Sequence, residues 1–182
     1  MKLNDPLVSN IIFFETEFSL DLSFDNVLDV LDIMNDCDLF IEEKVDICTE
    51  LLVGKNNLLF EEKISLFSHI INNYINVNSN RVEIDRAGNP MPSIEVSKKT
   101  IDLVQDAKYI YSSFRQIGIN LFKEQGKLSW EEFQALLESL PEDTIMSKII
   151  QIRQWTPTKG EDANYREQMR KLQRKYSLEN NV

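Results

Sequence analysis

The sequence is poor in the residues that build reactive centres or covalent staples. Among 182 residues there are two cysteines, Cys37 and Cys48, and one histidine, His69. Two thiols make neither a disulfide framework nor a Cys-x-x-Cys metal pair, and they suit a reducing compartment. A zinc site would need both thiols, the lone imidazole and carboxylates to converge from unrelated spacings, so His69 reads as structural. Five glycines are scattered singly, which leaves no phosphate-cradling loop and no Gly-x-Ser-x-Gly elbow. No apolar run approaches the ~18 residues of a membrane span. The start, MKLNDPLVSN, lacks a basic segment followed by an apolar one, so neither a spanning nor a secreted protein is expected. Adjacent acids such as Glu42/Glu43, Glu61/Glu62 and Glu131/Glu132 point about 100° apart on a helix and cannot work as facing pairs. The expectation is a protein that is not an enzyme and needs no cofactor.

What the chain does have is charge, unevenly placed. Thirty acids face twenty bases, for a net −10. Residues 1–50 carry 13 acids and 2 bases, whereas residues 151–182 carry 4 acids and 7 bases. An acidic first quarter argues against nucleic acid there, because phosphate binding rests on cations. Such charge keeps a surface soluble, and it also steers basic partners. The overall negative balance argues against a membrane surface as the target of the basic end.

The periodicities predict a mainly α protein, a bundle of about six to seven helices with a short N-terminal β-hairpin. Ile11–Phe14 and Phe18–Leu22 flank Glu15-Thr16-Glu17 as two β-prone stretches. A lone hairpin is marginal in water, so it must lie on helices or pair with another chain. The first helix carries Phe24, Val27, Leu28, Leu31 and Met34 at helical spacing. A second is expected over 40–53, with Ile41, Val45, Cys48, Leu51 and Leu52 inward and Gly54 as its stop. The third, over 59–75, has a broad apolar set (Phe60, Ile64, Phe67, Ile70, Ile71, Tyr74) that suits the centre of a bundle. These elements make an N-terminal part, 1–76, and a long connection follows at 77–100. Further helices of the same domain are expected over 101–156. The fourth places Val104, Ala107, Tyr111, Phe114 and Ile117 on one face. Ser129 and Glu132 form a capping box for the fifth, with Trp130, Phe133, Leu136, Leu137 and Leu140 inward. Pro141, Glu142 and Asp143 open the sixth, which carries Ile145, Ile149, Ile152 and Trp155. A basic terminal helix and tail complete the chain over 157–182.

Residues 121–132 imitate an EF-hand loop, with Gly126 sixth and Glu132 twelfth. Positions one, three and five would be Leu121, Lys123 and Gln125, an alkyl chain, a cation and one amide, so calcium is rejected. Trp130 reads first as core. Trp155 differs, because it ends a helix beside Pro157 and Gly160, and an exposed aromatic there can anchor a partner. The terminal helix has only Tyr165, Met169, Leu172 and Tyr176 as a narrow apolar stripe, ringed by Arg166, Arg170, Lys171, Arg174 and Lys175. It either docks on the acidic half or reaches for another protein.

From residue 106 an ordered series of motifs appears: Asp106-Ala107-Lys108-Tyr109-Ile110-Tyr111-Ser112-Ser113-Phe114, then Gly118-Ile119-Asn120-Leu121, then Leu128-Ser129-Trp130-Glu131-Glu132-Phe133. Leu140-Pro141-Glu142-Asp143-Thr144 and Lys148-Ile149-Ile150-Gln151-Ile152-Arg153 follow, and Tyr165, Met169, Lys171, Leu172 and Tyr176 continue the series. This order resembles the bacteriophage gene-product-fifteen family of siphophages and prophages of Gram-positive hosts. Glu131 stands where that family usually carries a second aromatic. The resemblance implies a tail assembly chaperone of the host cell cytoplasm that binds the tape-measure protein, with other tail proteins or its own copies as further partners. The alternative is a structural tail-completion or connector protein of the virion. The candidate partner-contact residues are Tyr109, Trp130, Trp155, Arg166, Arg170, Lys171 and Arg174.

Overall fold

The computed structural model describes residue 4, residues 6–76 and residues 100–178. All but Thr100 of the connection expected at 77–100 lies outside the described residues. The described chain is mainly helical, with an N-terminal hairpin. Its elements are β1 (Asn10–Phe13), β2 (Thr16–Ser19), α1 (Phe24–Asn35), α2 (Ile41–Val53) and α3 (Phe60–Ile70), which ends in a π-turn (Ile71–Ile75). After the connection come α4 (Ala107–Gln116), α5 (Leu121–Glu124), α6 (Trp130–Glu138), α7 (Ile145–Gln154) and α8 (Ala163–Lys175). Two compact units form, one from Met1–Pro90 with Glu124–Leu136, the other from Met91–Lys123 with Leu137–Val182.

In the first unit the hairpin pairs antiparallel, with Ile11 opposite Phe18 and Phe13 opposite Thr16. Thr16 and Glu17 belong to the second strand rather than to the turn. The turn is Phe14-Glu15, both left-handed with φ of 46° and 61°, which is the twist a two-residue hairpin loop requires. Ile11 and Leu20 are buried, so the hairpin lies on the helices. The Asp21 amide donates to the Leu52 carbonyl at 2.8 Å and ties the strand exit to the end of α2. Helix α1 packs on α2, and α2 on α3. Val27, Val30, Val45, Cys48, Leu52, Leu66 and Ile70 fill the space between them. Burial pushes the Cys48 thiol up to about 11, against a smaller opposing pull from Lys44. Its sulfur hydrogen-bonds the Val30 carbonyl at 3.7 Å.

Three helices open with the same carboxylate chemistry. Glu43, Glu62 and Glu132, each at the third helical position, accept from the backbone amides of Phe40 (3.0 Å), Leu59 (2.8 Å) and Ser129 (3.0 Å). Only Ser129 completes the reciprocal half of the box, since its hydroxyl oxygen accepts from the Glu132 amide. Phe40 and Leu59 have no acceptor to offer, and their side chains project into solvent. Ile41, expected inward, is exposed at the first turn of α2, as is Phe60 at the first turn of α3 and Ile64 one turn on. Helix α3 is an edge element of its unit rather than the expected centre.

The segment 124–136 returns to this first unit. Ser23 bridges Ser129 antiparallel, the Phe24 amide donates to the Leu128 carbonyl (2.9 Å) and the Trp130 amide to the Leu22 carbonyl (2.7 Å). Phe133 stacks between Phe24 and Trp130, with centroids 5.1 and 5.7 Å away. Burying an aromatic of this size stabilises by about 1.5–3 kcal/mol. Gly126, at φ 67°, turns its amide onto the Asp25 carboxylate at 2.9 Å.

In the second unit α4 packs on α7, and α7 on α8. Helix α4 starts later than its hydrophobic pattern suggests. The Asp102 carboxylate accepts from the amides of Val104 (3.0 Å) and Gln105 (2.8 Å), forming a turn ahead of the helix. Its buried face is Ile110, Ser113 and Phe114, while Val104, Ala107 and Ile117 are exposed and Tyr111 half-buried. The expected face is thus rotated. The Ser113 hydroxyl donates to the Tyr109 carbonyl (2.8 Å) and accepts from the Met146 amide (3.0 Å), a role that a hydrophobic period does not register. Helix α7 begins at Ile145, after Pro141-Glu142-Asp143, because Thr144 is its cap.

Candidate functional site

The sequence-predicted contact residues other than Trp130 fall in the second unit, and they gather around α7 and α8. Arg153, in the last turn of α7, organises this region. Its guanidinium forks onto Asp106, at 2.6 Å from Nη1 to Oδ2 and 2.8 Å from Nη2 to Oδ1. Nη1 also donates to the Thr100 carbonyl and Nε to the Tyr176 carbonyl, each at 2.7 Å. The side chains are 10% and 2% exposed, so the pair is desolvated and satisfied by several partners at once. One guanidinium thereby ties α7 to the entry of α4 and to the end of α8.

Helix α8 is capped by Asp162, whose carboxylate accepts from Asn164 (2.9 Å) and Tyr165 (3.2 Å). Its Gln173 amide donates to the Trp155 carbonyl at 2.8 Å. Trp155 is half-buried and meets Tyr165 edge-on at 6.3 Å. Tyr109, also half-buried, meets Tyr176 edge-on at 5.9 Å, with the Lys108 ammonium 4.8 Å from its ring centre. The helix therefore docks on α7 within its own unit, and no residue of it is fully buried. Arg170, Lys171 and Arg174 face solvent, and Arg166 is half-buried. Lys171 pairs with Glu167 at 2.8 Å, and that hydrogen bond with its charge holds the Glu167 carboxyl below the usual range. The result is a cationic surface flanked by two aromatic pairs, suited to anionic or π-rich groups on a partner.

Trp130 is not brought to this surface. It is 5% exposed, and its indole N–H donates to the Ile75 carbonyl at 3.2 Å, so it presents no ring to a partner. His69 is exposed, with Phe13 at 5.6 Å and Tyr74 at 6.1 Å. In the EF-hand look-alike the Glu132 carboxylate is engaged by the Ser129 amide and hydroxyl. Among the described residues no group of three or more His, Cys, Asp or Glu is placed to hold a metal ion. No helix among them is long and apolar enough to cross a membrane.

Sequence reasoning missed the Arg153–Asp106 clamp. The available signal was the opposite charge of Asp106 and Arg153, each standing at one end of an amphipathic motif that also carries a lysine, Lys108 or Lys148. Several motif residues are structural in the same way: Asp106 and Arg153 pair, Ser113 and Thr144 receive amide hydrogens, and Gly118 takes φ 90° at the end of α4.

Helices throughout, one N-terminal hairpin and a basic helix clamped at its end define a mainly α class of protein. The chain matches the family described as Bacteriophage Gp15 protein over residues 3–178, and it belongs to that family. Membership makes it a bacteriophage protein and suggests a structural, tail-related one. No match is found among curated proteins or among solved structures.

Proposed function

We propose that the chain is a tail assembly chaperone: it binds the tape-measure protein in the host cytoplasm while the tail tube polymerises, and performs no catalysis. The observation that carries this reading is a set of large apolar side chains held in water on a highly charged protein. Ile12, Phe40 and Leu59 are 76%, 75% and 72% exposed. Each is a standing cost of about 25 cal/mol per Å² of apolar area, removed when a partner's apolar face covers it. The surrounding charge keeps the uncovered protein soluble. A contact made of few such side chains also releases readily, as displacement by tube subunits requires. Tyr109, Trp155, Arg166, Arg170, Lys171 and Arg174, on the other unit, supply a separate polar, aromatic contact surface in this reading.

Co-expression of the tape-measure chain with and without this protein tests it. The expected result is higher soluble yield and co-purification, both reduced when residues 163–182 are deleted. Unchanged solubility and no co-purification would sink the proposal. The second reading, a structural virion component, draws on the hairpin, whose outward Ile12 and Phe14 could pair across subunits. Stoichiometric presence in purified particles by mass spectrometry would favour it.

A further inference from the structure

Charge and exposed apolar surface coincide on one of the two units. The described residues of the first unit contain 17 acidic and 4 basic side chains, a net −13, and those of the second contain 8 acidic and 11 basic, a net +3. Two of the four cations in the first unit are engaged internally: Lys63 pairs with Asp46, and the Lys44 ammonium donates to the Met34 carbonyl at 3.0 Å. The large exposed apolar side chains do not follow solubility, which would place them away from one another. Of the fourteen among the described residues, ten lie on this acidic unit, and Val104, Ile117, Phe122 and Tyr165 lie on the other.

Helix α3 shows the combination most clearly. Phe60 and Ile64 stand four residues apart on one stripe, 41% and 40% exposed, and Leu59 precedes them at 72%. Positions four apart are neighbours on a helix surface, so this is one edge rather than scattered residues. Phe67 and Ile71, buried and half-buried, continue the stripe inward and anchor it to the core. Glu61 stands beside it, exposed, and no ion pair among the described residues neutralises it.

We propose that the α3 edge formed by Leu59, Phe60 and Ile64 is a docking site for a cationic amphipathic helix of another protein. Apolar residues on one face of that helix would cover the stripe, while lysines or arginines along its flanks would meet the acidic unit. Charge complementarity selects this occupant: a neutral apolar helix gains nothing from the field of a −13 body, and an acidic one is repelled. A second copy of the chain does not fit. Its cationic helix is α8, whose apolar stripe already rests on α7, leaving an outward face of cations with Tyr165 as its only large exposed apolar side chain. Identifying the bound helix as part of the tape-measure chain rests on the function proposed above; the chemistry of the docking site does not.

The test uses the full chain and two designed helical peptides of about 18 residues, leucine on one face and either lysine or glutamate on the other. Fluorescence anisotropy should show the lysine peptide binding and the glutamate peptide not binding, with the affinity falling as salt is raised. In F60S/I64S the lysine peptide should bind at least tenfold more weakly, with a cooperative melt confirming the fold. In Glu61→Lys it should weaken less and lose part of its salt dependence. Equal binding of both peptides, or an unchanged affinity in F60S/I64S, overturns the proposal. So does a concentration-dependent doubling of mass in light scattering that F60S/I64S abolishes, since that would seat a second copy on the edge. Peptide binding without tape-measure co-purification would leave the site standing and remove the chaperone reading, and the reverse outcome would do the opposite.

Discussion

Arg153 shows how much can turn on one residue. Its guanidinium is buried against Asp106 and two carbonyls, so removing it strands a carboxylate out of water. Arg153→Ala should cost about 3–5 kcal/mol in urea unfolding, whereas the paired change Arg153→Met with Asp106→Leu should recover most of that loss. Equal destabilisation by the single and double variants would show that the carbonyl contacts, not the ion pair, carry the stability. Neither partner stands out in the sequence, because a pattern of apolar spacings assigns charged positions to solvent. Ser113 and Thr144 escaped for the same reason: both are fully buried, and both work through hydrogen bonds that periodicity does not encode. Trp130 is the converse case. Its size suits a binding surface as well as a core, and only the carbonyl of Ile75, far away in sequence, decides between them.

At the scale of elements, the hydrophobic periods placed most helices well and mis-phased some of them. Helices α1, α2, α6, α7 and α8 lie where the spacings put them. Their starts depend on caps: the box at Ser129 was legible, while Thr144 was hidden behind Pro141. Helix α4 buries a face rotated from its apolar period because that face includes a serine, and the period of α3 suits a bundle centre because Phe60 and Ile64 count as apolar whether or not anything covers them. The hairpin carries a sharper lesson. Its turn places Phe14 and Glu15 in the left-handed region, which non-glycine residues occupy at a cost of roughly 1–2 kcal/mol. Glu15→Gly should therefore stabilise the protein by about 0.5–1 kcal/mol after the greater freedom of glycine in the unfolded chain is discounted. A higher midpoint in urea checks this; a lower one would show that Glu15 contributes contacts that outweigh its backbone strain.

For the whole molecule, composition gave the class and charge counting gave the asymmetry, but neither gave the division into units. The run of residues 1–76 looks like a complete helical body, and nothing in the spacing of 124–136 marks it as belonging there. The resemblance to a phage family is readable because it rests on the order of motifs along the chain, whereas which apolar stripes stay exposed depends on what the fold covers, and no spacing encodes that. The first unit, whose described residues hold 17 acidic and 4 basic side chains, repels itself. Raising salt from about 0.01 M to about 0.15 M shortens the screening length to roughly 8 Å and should raise the melting temperature by a few degrees. A falling melting temperature would mean that the ion pairs outweigh the repulsion.

The return of 124–136 to Ser23, Phe24 and Ile75 bears on how the protein comes into being. A nascent chain that has delivered everything up to Ile75 still lacks the indole N–H that donates to that carbonyl and the ring that stacks on Phe24. Roughly 60 more residues must be translated first, about 3–12 s at ordinary elongation rates. During that interval the ribosome holds an acidic body with an open seam, so closure of the amino-terminal half waits on codons from the carboxy-terminal half of the message.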